Sequence, residues 1–317
     1  MRSNKINKLN SIIVVPKKII IRLVNIFKYR IRQLRRKATH YNLHVYPNLY
    51  RPASEPFISG DTFRKHSNHI FDETQGFDPL KVKKNHIVFL KSDLIELFFN
   101  YFHPKIQEPY ILLTHNSDLI FTSEYKKYKD ELIIHWFAQN LDFLSDENFS
   151  ALPIGLENKR YLNNGLLSHF IDYQQNEKTR FILCSFNKNT NPERVEVLST
   201  VEQLKLVDIK NYQNHKEYIQ KMSQYKFNIS PKGNGSDTHR FWESLMVGTF
   251  PIVVRTPFTR NMENLGIPAI YLNSWSELVT YNPEKLDEVY TELIKQNSIK
   301  FMLLEYWKET IKEKMLY

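Results

Sequence analysis

The sequence predicts an α/β protein with two doubly wound domains, and three observations lead to this prediction. The chain has 317 residues, of which 42% are hydrophobic and 14% aromatic, enough to fill two packed cores. From residue 86 onward, apolar runs long enough for buried parallel strands are each followed by polar residues. After residue 175, a second series of strand patterns alternates with helical patterns. The expected domains therefore span 38–175 and 176–317, after a tail of residues 1–37.

The first domain is expected to hold four buried strands. Residues 40–80 are rich in proline and turn formers, which predicts loops with short strands or helices. Residues 163–178 are polar and show no clear strand, so the domain boundary is expected near 175. The four strands are predicted in the runs HIVFLKSD, PYILLTHNSD, ELIIHWFAQN and ALPIGLEN.

The second domain is expected to alternate strands and helices. Strands are predicted in TRFILCSF, YKFNIS, TFPIVV and PAIYLN. Helices are predicted in NPERVEVLSTVEQ, KEYIQKMSQ, residues 238–248 and residues 283–317. The helix at 238–248 is expected to be capped by Asp237 or Ser236 and to end at Gly248.

The positive charge of the chain is concentrated in its tail. The sequence carries 44 Lys or Arg against 34 Asp or Glu, for a net charge of +10. Residues 1–37 hold twelve of these basic residues and no acidic one, which leaves 32 basic and 34 acidic side chains elsewhere. The basic character therefore belongs to the tail, and nucleic acid is not an expected partner of the protein.

Within the tail, apolar residues recur at steps of three and four after Pro16, as in one stripe of a helix. Basic side chains fall mostly on the other side, which is typical of a helix lying on an anionic membrane surface. The segment is too short and too charged to span a bilayer, and it lacks the features of a secretory signal. A helix docked on its own protein is the alternative, and contact with nucleic acid comes third.

Cysteine usage limits the class of protein further. Cys184 is the one cysteine, so no intramolecular disulfide framework exists, and no Cys/His cluster has zinc-ligand spacing. The sequence therefore predicts folding in a reducing compartment: the cytoplasm, with peripheral contact at the cytoplasmic face of a membrane.

Polar residues follow five of the predicted strands. In an open parallel sheet, ligands bind beyond the carboxyl ends of the strands, so these clusters are expected to line one cleft between the domains. Asn116, Gln139 and Asn140 are the candidates for hydrogen bonds to an acceptor substrate. The alternative is that polar residues simply end the strands. The clusters are HNSD at 115–118, QN at 139–140, GLEN at 155–158, SFNK at 185–188 and SPKGNG at 230–235.

The stretch SPKGNGSDTHRFWESLMVGTFPIVV holds three of the eight glycines. Gly233 and Gly235 allow a backbone to approach a bulky anion at the start of the following helix. Arg240 and Glu243 project together from that helix, where a carboxylate suits a pair of hydroxyls such as those of ribose. The alternative is an ordinary surface ion pair beside a structural turn. The donor-binding candidates from this stretch are Ser230, Lys232, Gly233, Gly235, Asp237, Arg240 and Glu243.

The order of these residues resembles the C-terminal donor-binding motif of exostosin-like glycosyltransferases, and the match covers Phe227 to Val254. Weaker resemblance extends to THNSD, IHWFAQN, LPIGLEN and FNKNTNPER. The resemblance implies a GT-B fold of two Rossmann-like domains, a UDP-linked nucleotide-sugar donor, and transfer with inversion. The acceptor is expected to be a saccharide or a lipid-linked glycan, because the basic tail would meet a lipid-linked acceptor at a membrane. The resemblance also implies that Arg240 and Arg194 contact the diphosphate and that Glu243 binds the ribose.

Transfer with inversion needs a base, for which the strand ends offer Asp118, Glu157 and His115. Asp118 is favoured because it follows the strongest strand of the first domain. No Asp-x-Asp motif is present, so neither a metal nor another cofactor is expected. A nucleotide-sugar epimerase or a phosphorylase of the same fold, or a catalytically silent binding module, remains an alternative function.

Overall fold

A computed structural model describes residues 51–74, 76–174 and 176–316. The predicted amphipathic helix of residues 1–37 lies outside the described residues. Residues 51–72 and 76–316 belong to one compact unit, which contains two five-stranded parallel sheets.

The strands of the first sheet lie side by side in chain order, and every pair is parallel. β3 is buried along its whole length and β4 at five of its six residues, which explains their nearly continuous apolar sequences. The strands are β1 (His69–Phe71), β2 (Ile87–Lys91), β3 (Tyr110–His115), β4 (Ile133–Ala138) and β5 (Phe149–Ala151).

The strand predicted in ALPIGLEN is wrong in its extent, because β5 ends at Ala151. Pro153 has no backbone N–H for a strand ladder, and Gly155 has a φ of +66° that does not fit a strand. The rest of this run forms a loop at the carboxyl edge of the sheet.

Short helices precede, connect and follow the strands of the first sheet. Ser59 caps α1 by accepting a hydrogen bond from the backbone N–H of Thr62. The α-helices are α1 (Gly60–Lys65), α2 (Ile95–Tyr101) and, after β5, α3 (Ser168–Ile171). The 3₁₀ turns are Pro79–Lys81, Ser92–Leu94, His103–Lys105 and Ser123–Tyr128.

The second sheet is also parallel, and its order is β10-β9-β8-β6-β7. The chain moves outward from β6 to β7 and then returns to place β8 on the other side of β6. This reversal is a topological switch point, where parallel sheets bind ligands. The strands are β6 (Arg180–Cys184), β7 (Val207–Ile209), β8 (Tyr225–Ile229), β9 (Phe250–Val254) and β10 (Ile270–Leu272).

Helices flank the second sheet as the sequence predicts. The run predicted as one helix over 283–317 contains two α-helices with a 3₁₀ turn between them. The α-helices are α4 (Glu193–Val201), α5 (His215–Met222), α6 (His239–Met246), α7 (Pro257–Asn264), α8 (Pro283–Ile294) and α9 (Leu304–Lys312). The 3₁₀ turns are Lys188–Thr190, Trp275–Thr280 and Ser298–Met302.

The start of α6 differs from the prediction. Thr238 is the N-cap residue, and its side chain makes no capping hydrogen bond. The Asp237 carboxylate is not the cap because it accepts hydrogen bonds from Ile154 and Trp242 instead. Gly248, with a φ of +66°, follows the helix end as expected.

The C-terminal segment returns to the first half of the chain. The backbone N–H of Ile58 donates to Met302 O at 2.9 Å, and the N–H of Leu304 donates to Pro56 O at 2.9 Å. Trp307 of α9 is buried. The predicted α/β class with two parallel, helix-flanked sheets is confirmed, whereas the predicted domain limits remain a prediction. Among the described residues, no helix combines the length and the apolar character needed to cross a membrane.

Candidate functional site

Hydrogen bonds join the carboxyl edges of the two sheets. The backbone N–H of Asp237 donates to Asn140 Oδ1 at 2.9 Å, and Asp237 Oδ2 accepts from the N–H of Ile154 at 2.6 Å. His239 Nδ1 donates to Gly155 O at 2.8 Å. Residues that lie about 85 to 100 positions apart in the sequence therefore meet at one junction.

The glycine-rich loop packs against this junction. A Cβ atom on Gly235 would lie 2.6 Å from the amide atoms of Asn140, which is closer than side chains approach one another. Asn140 cannot withdraw easily, because it is fully buried and its Nδ2 also donates to Ser117 O. Gly235 therefore permits the contact with Asn140, whereas the sequence predicted a close approach to an anion.

The other loop residues are held by bonds within the loop and by a bond from Asn191. The N–H of Gly233 donates to Gly235 O, and Gly233 O accepts from Asn191 Nδ2 at 2.9 Å. Ser230 Oγ donates to Asn228 O at 3.3 Å. The loop between β8 and α6 is therefore a compact turn held both by its own bonds and by side chains from other parts of the chain.

Asp237 is a buried carboxylate between the two halves. Its Oδ1 accepts from Trp242 Nε1 at 2.9 Å, in addition to the bond from Ile154. Burial raises the pKa of Asp237 to about 7, against the lowering effect of these hydrogen bonds. Its contacts are those of a bridge between the sheets, while its predicted role in donor binding stays a prediction.

A cavity of about 700 Å³ opens at the carboxyl ends of β6 and β7. Among the described residues that line it are three cationic side chains, Lys188, Lys210 and Arg240, and no Asp or Glu. A concave site with positive charge and no carboxylate favours an anionic ligand. Amide and aromatic side chains complete the wall, among them Asn187, Asn211, Asn214, Phe186, Tyr212 and Tyr218.

Arg240 is held at the cavity wall by α6. Its Nε donates to Ser185 O at 3.0 Å, and its guanidinium lies 5.7 Å from the centre of the Tyr218 ring. Among the described residues, no carboxylate forms an ion pair with it. The charge of Arg240 is therefore available to a ligand.

Arg194 lies beside the cavity and is buried. Its Nε donates to Lys232 O at 2.7 Å, and its Nη1 donates to Asn187 O at 3.0 Å. Burial, followed by repulsion from Arg240, lowers the pKa of Arg194 to about 10. The Lys232 ammonium is exposed and lies 4.0 Å from Glu193 Oε2. The two arginines thus concentrate positive charge at one side of the cavity.

Glu243 is paired with a histidine of the cavity wall. Its Oε1 accepts from His215 Nε2 at 2.9 Å, and His215 Nδ1 lies 2.9 Å from His169 Nδ1. Burial on its own raises the pKa of Glu243, but the hydrogen bond from His215 lowers it, and the net pKa is below the usual value. His215 lines the cavity, and Glu243 stands directly behind it.

The acceptor candidates of the first sheet form a network among themselves. The N–H of Asn116 donates to Gln139 Oε1 at 2.9 Å, and Asn116 Nδ2 donates to the buried Asp61 Oδ1 at 3.1 Å. Asn158 Nδ2 donates to Asn116 Oδ1 at 3.0 Å. These contacts hold the edge of the sheet, and a role in acceptor binding stays a prediction.

The three predicted bases occupy different environments. His115 is buried, with Nε2 donating to Pro153 O and Nδ1 accepting from the N–H of Asn116, and burial lowers its pKa to about 4. Asp118 is exposed and accepts from Asn234 Nδ2 at 3.2 Å. Glu157 Oε2 lies 3.5 Å from His239 Nε2. Asp118 and Glu157 thus remain within reach of solvent.

Several residues of this site were not predicted from the sequence. Lys188 follows β6 within the predicted SFNK cluster, but Lys210 follows β7, which is too short to be recognised as a strand. His215 begins α5, and His239 directly precedes Arg240. The sequence signal that could have identified His239 is its position directly before Arg240, the predicted phosphate ligand. No group of three His, Cys, Asp or Glu side chains with the geometry of a metal site occurs in the described parts of the chain.

No family model matches the chain, and no curated protein matches it in sequence. Among solved structures, an α1,3-fucosyltransferase is 12% identical, with 80% of this chain and 87% of that chain covered and a TM-score of 0.41. An α,α-trehalose 6-phosphate synthase from Burkholderia multivorans is 7% identical, with 74% and 72% covered and a TM-score of 0.44. A chain of the GtfA/B complex is 10% identical, with a TM-score of 0.41; 74% of this chain is covered but only 58% of that one. These three matches have TM-scores below 0.5, so they indicate no activity for this chain.

Proposed function

We propose that the protein is a glycosyltransferase that moves a sugar from a nucleotide-sugar donor to a saccharide or glycan acceptor. The observation that carries the proposal is the cavity at the carboxyl ends of β6 and β7, which has three cationic side chains and no carboxylate in its described lining. A nucleotide sugar combines a diphosphate, which matches the charge, with a base and hydroxyl groups, which match the aromatic and amide lining. The resemblance of residues 227–254 to exostosin-like enzymes supports the same assignment.

The donor is proposed to bind with its diphosphate toward Arg240. This guanidinium has no carboxylate partner among the described residues, and a planar guanidinium suits bidentate contact with phosphate oxygens. Arg194 adds charge from behind the cavity wall. Glu243 is proposed to act on the ribose hydroxyls through His215, which lines the cavity and donates to its carboxylate. We also propose that the donor is UDP-linked, that the acceptor is lipid-linked, and that residues 1–37 contact a membrane.

Transfer is proposed to proceed by direct displacement with inversion. The acceptor oxygen forms a bond to the anomeric carbon while the bond from that carbon to the diphosphate breaks. Positive charge at the cavity stabilises the departing diphosphate, and a base takes the proton of the acceptor hydroxyl. Of the predicted bases, Asp118 is exposed and Glu157 is partly exposed.

Donor binding by Arg240 is testable with purified full-length protein. A thermal-shift screen against UDP-, GDP- and CMP-sugars identifies the nucleotide, and titration then gives its affinity. Arg240→Ala is expected to weaken that affinity about 10- to 100-fold, because a charge-assisted contact to the diphosphate is lost. The melting temperature without ligand is expected to change little.

Arg180→Ala is the matched control. Arg180 lies at the amino end of β6, at the opposite edge of the same sheet, where it pairs with Asp208. Its removal is expected to leave nucleotide-sugar affinity unchanged. Normal binding by Arg240→Ala would contradict the assignment of the diphosphate site, and absence of binding by every nucleotide sugar would contradict the proposed function.

Product analysis separates the remaining functions. A transferase yields a glycosylated acceptor and a nucleoside diphosphate. An epimerase yields an altered nucleotide sugar, and a phosphorylase consumes phosphate. A silent binding module retains ligand binding and yields no product from any acceptor.

A further inference from the structure

His239 occupies the junction between the two sheets, one residue before the diphosphate ligand proposed above. It is the first residue of α6, and its Nδ1 donates to Gly155 O of the loop that follows β5 at 2.8 Å. The imidazole is 26% exposed and the Glu157 carboxylate 22%, so both side chains are accessible from solvent. No part of the donor site described above uses either side chain.

The bond to Gly155 O defines the tautomer of His239. A carbonyl oxygen only accepts, so Nδ1 carries the proton and Nε2 keeps its lone pair in the neutral ring. Glu157 Oε2 lies 3.5 Å from Nε2, which is longer than a hydrogen bond. Nε2 therefore has an unused lone pair in an accessible position.

Charged and titratable groups on the elements around this imidazole act on it electrostatically. His115 at the end of β3 interacts with it electrostatically from the first sheet. Asp237 and Glu243 do so from the donor side, and Arg240 is its neighbour on α6. His239 thus stands between the cavity that we assign to the donor and the edge of the sheet predicted to meet the acceptor.

We propose that His239 is the general base of the reaction and that Glu157 is its positioning residue, an inference that rests on the proposed glycosyl transfer. His239 Nε2 takes the proton of the acceptor hydroxyl as the acceptor oxygen bonds to the anomeric carbon. The bond between that carbon and the diphosphate breaks, and the electron pair leaves with the nucleoside diphosphate. The Glu157 carboxylate stabilises the imidazolium that forms, which then returns its proton to solvent.

The first arm of the test needs no substrate. In full-length protein labelled with ¹⁵N-histidine, long-range proton–nitrogen correlation identifies the tautomer of each ring, and His239→Gln assigns its signals. The Nδ1–H tautomer is the expected result for His239. An Nε2–H tautomer in the neutral ring would overturn the proposal, because that nitrogen would then have no lone pair for a hydroxyl proton.

The second arm measures release of nucleoside diphosphate from the nucleotide sugar that gives the largest thermal shift, with water or a glycan as acceptor. His239→Gln is expected to lower the rate 100-fold or more while donor affinity stays within about threefold of wild type. His135→Gln is the matched control, since His135 also donates to a backbone carbonyl but lies on β4 away from the cavity. An unchanged rate in His239→Gln, or a collapse in Asp118→Asn alone, would overturn the proposal.

Glu157→Gln keeps the test valid if the histidine variant fails to fold. Without the carboxylate, the imidazolium is less stable, so the acid limb of the pH–rate profile is expected to move to lower pH as the maximal rate falls. A purely structural role would lower the rate without moving that limb, and this result would overturn the proposal. If wild-type protein neither binds a nucleotide sugar nor releases a diphosphate, the proposed function itself fails.

Discussion

At the scale of single residues, His115 shows how burial and hydrogen bonding change what a side chain can do. The sequence places a histidine at the end of a buried strand, where it is a candidate base. In the folded protein both of its ring nitrogens are used, by Pro153 O and by the N–H of Asn116. Burial lowers its pKa to about 4, so the ring is neutral at physiological pH.

The lowered pKa of His115 predicts that the folded state becomes less stable as the pH falls. A histidine in the unfolded chain has a pKa of about 6.5, so the unfolded state binds a proton first as the pH falls from about 6.5 to about 4. The free energy of unfolding is expected to fall over that window by up to about 1.4 kcal/mol per pH unit from this site. Urea unfolding of wild type and His115→Gln at pH 7 and pH 4.5 measures it.

Glutamine retains one donor and one acceptor but does not titrate. The variant is expected to lose less stability than wild type between the two pH values. Equal losses in the two proteins would show that His115 is not neutral in the fold.

At the scale of elements, the partly buried amine of Lys178, whose pKa burial lowers to about 7, ties together the two helices that line the cavity. Lys178 Nζ donates to Ser223 O at the end of α5 at 2.7 Å and to Val247 O at the end of α6 at 2.6 Å. The last carbonyls of a helix have no partner within it, and a cation at that end is favoured by the helix dipole. Lys178 thus satisfies both helix ends at once.

Lys178→Met is expected to lower the free energy of unfolding by about 2 to 4 kcal/mol, because two buried carbonyls lose their partner. Urea unfolding at neutral pH measures this loss. Lys221→Met is the matched control, since Lys221 lies in the last turn of α5 but is exposed, and a change of about 0.5 kcal/mol or less is expected. Equal effects of the two substitutions would contradict the bridging role of Lys178.

At the scale of the whole molecule, the two sheets are held together by groups distant in sequence. Asp237 accepts from Ile154 of the first half, Asn140 accepts from Asp237, and Leu304 donates to Pro56. These bonds set the relative position of the cavity and the edge of the first sheet. In the proposed glycosyl transfer, they would therefore control whether donor and acceptor groups can meet.

Asp237→Asn tests this junction. Asparagine offers one acceptor oxygen where the carboxylate offers two, so either the bond from Ile154 or the bond from Trp242 is expected to be lost, at a cost of about 1 to 3 kcal/mol. Hydrogen exchange at the Ile154 amide or at the Trp242 indole N–H is expected to accelerate by about tenfold or more, since one of them loses its acceptor. Asp142→Asn, at an exposed position of the first half, is the control. Unchanged exchange at both groups would contradict the proposed bridge.

Much of the fold was predictable from patterns within short segments. The strands β3 and β4 are nearly continuous apolar runs, as is β6 after its first residue, and burial on both faces selects such runs. The strands β1 and β7 have three residues each, too few for a pattern to stand out. The site was only partly predictable, because Gly235 and Asn140, or His239 and Gly155, meet across long separations in the sequence.

The sequence by itself determined the α/β class, the parallel strands and the polar groups at their ends, because these depend on the periodicity of neighbouring residues. It also singled out Arg240 and Glu243 on one helix. Only the tertiary structure decided which of these groups face the cavity and which bridge the sheets. The reason is physical: a side chain's charge, exposure and tautomer depend on the partners that folding brings to it, and those partners come from distant parts of the chain.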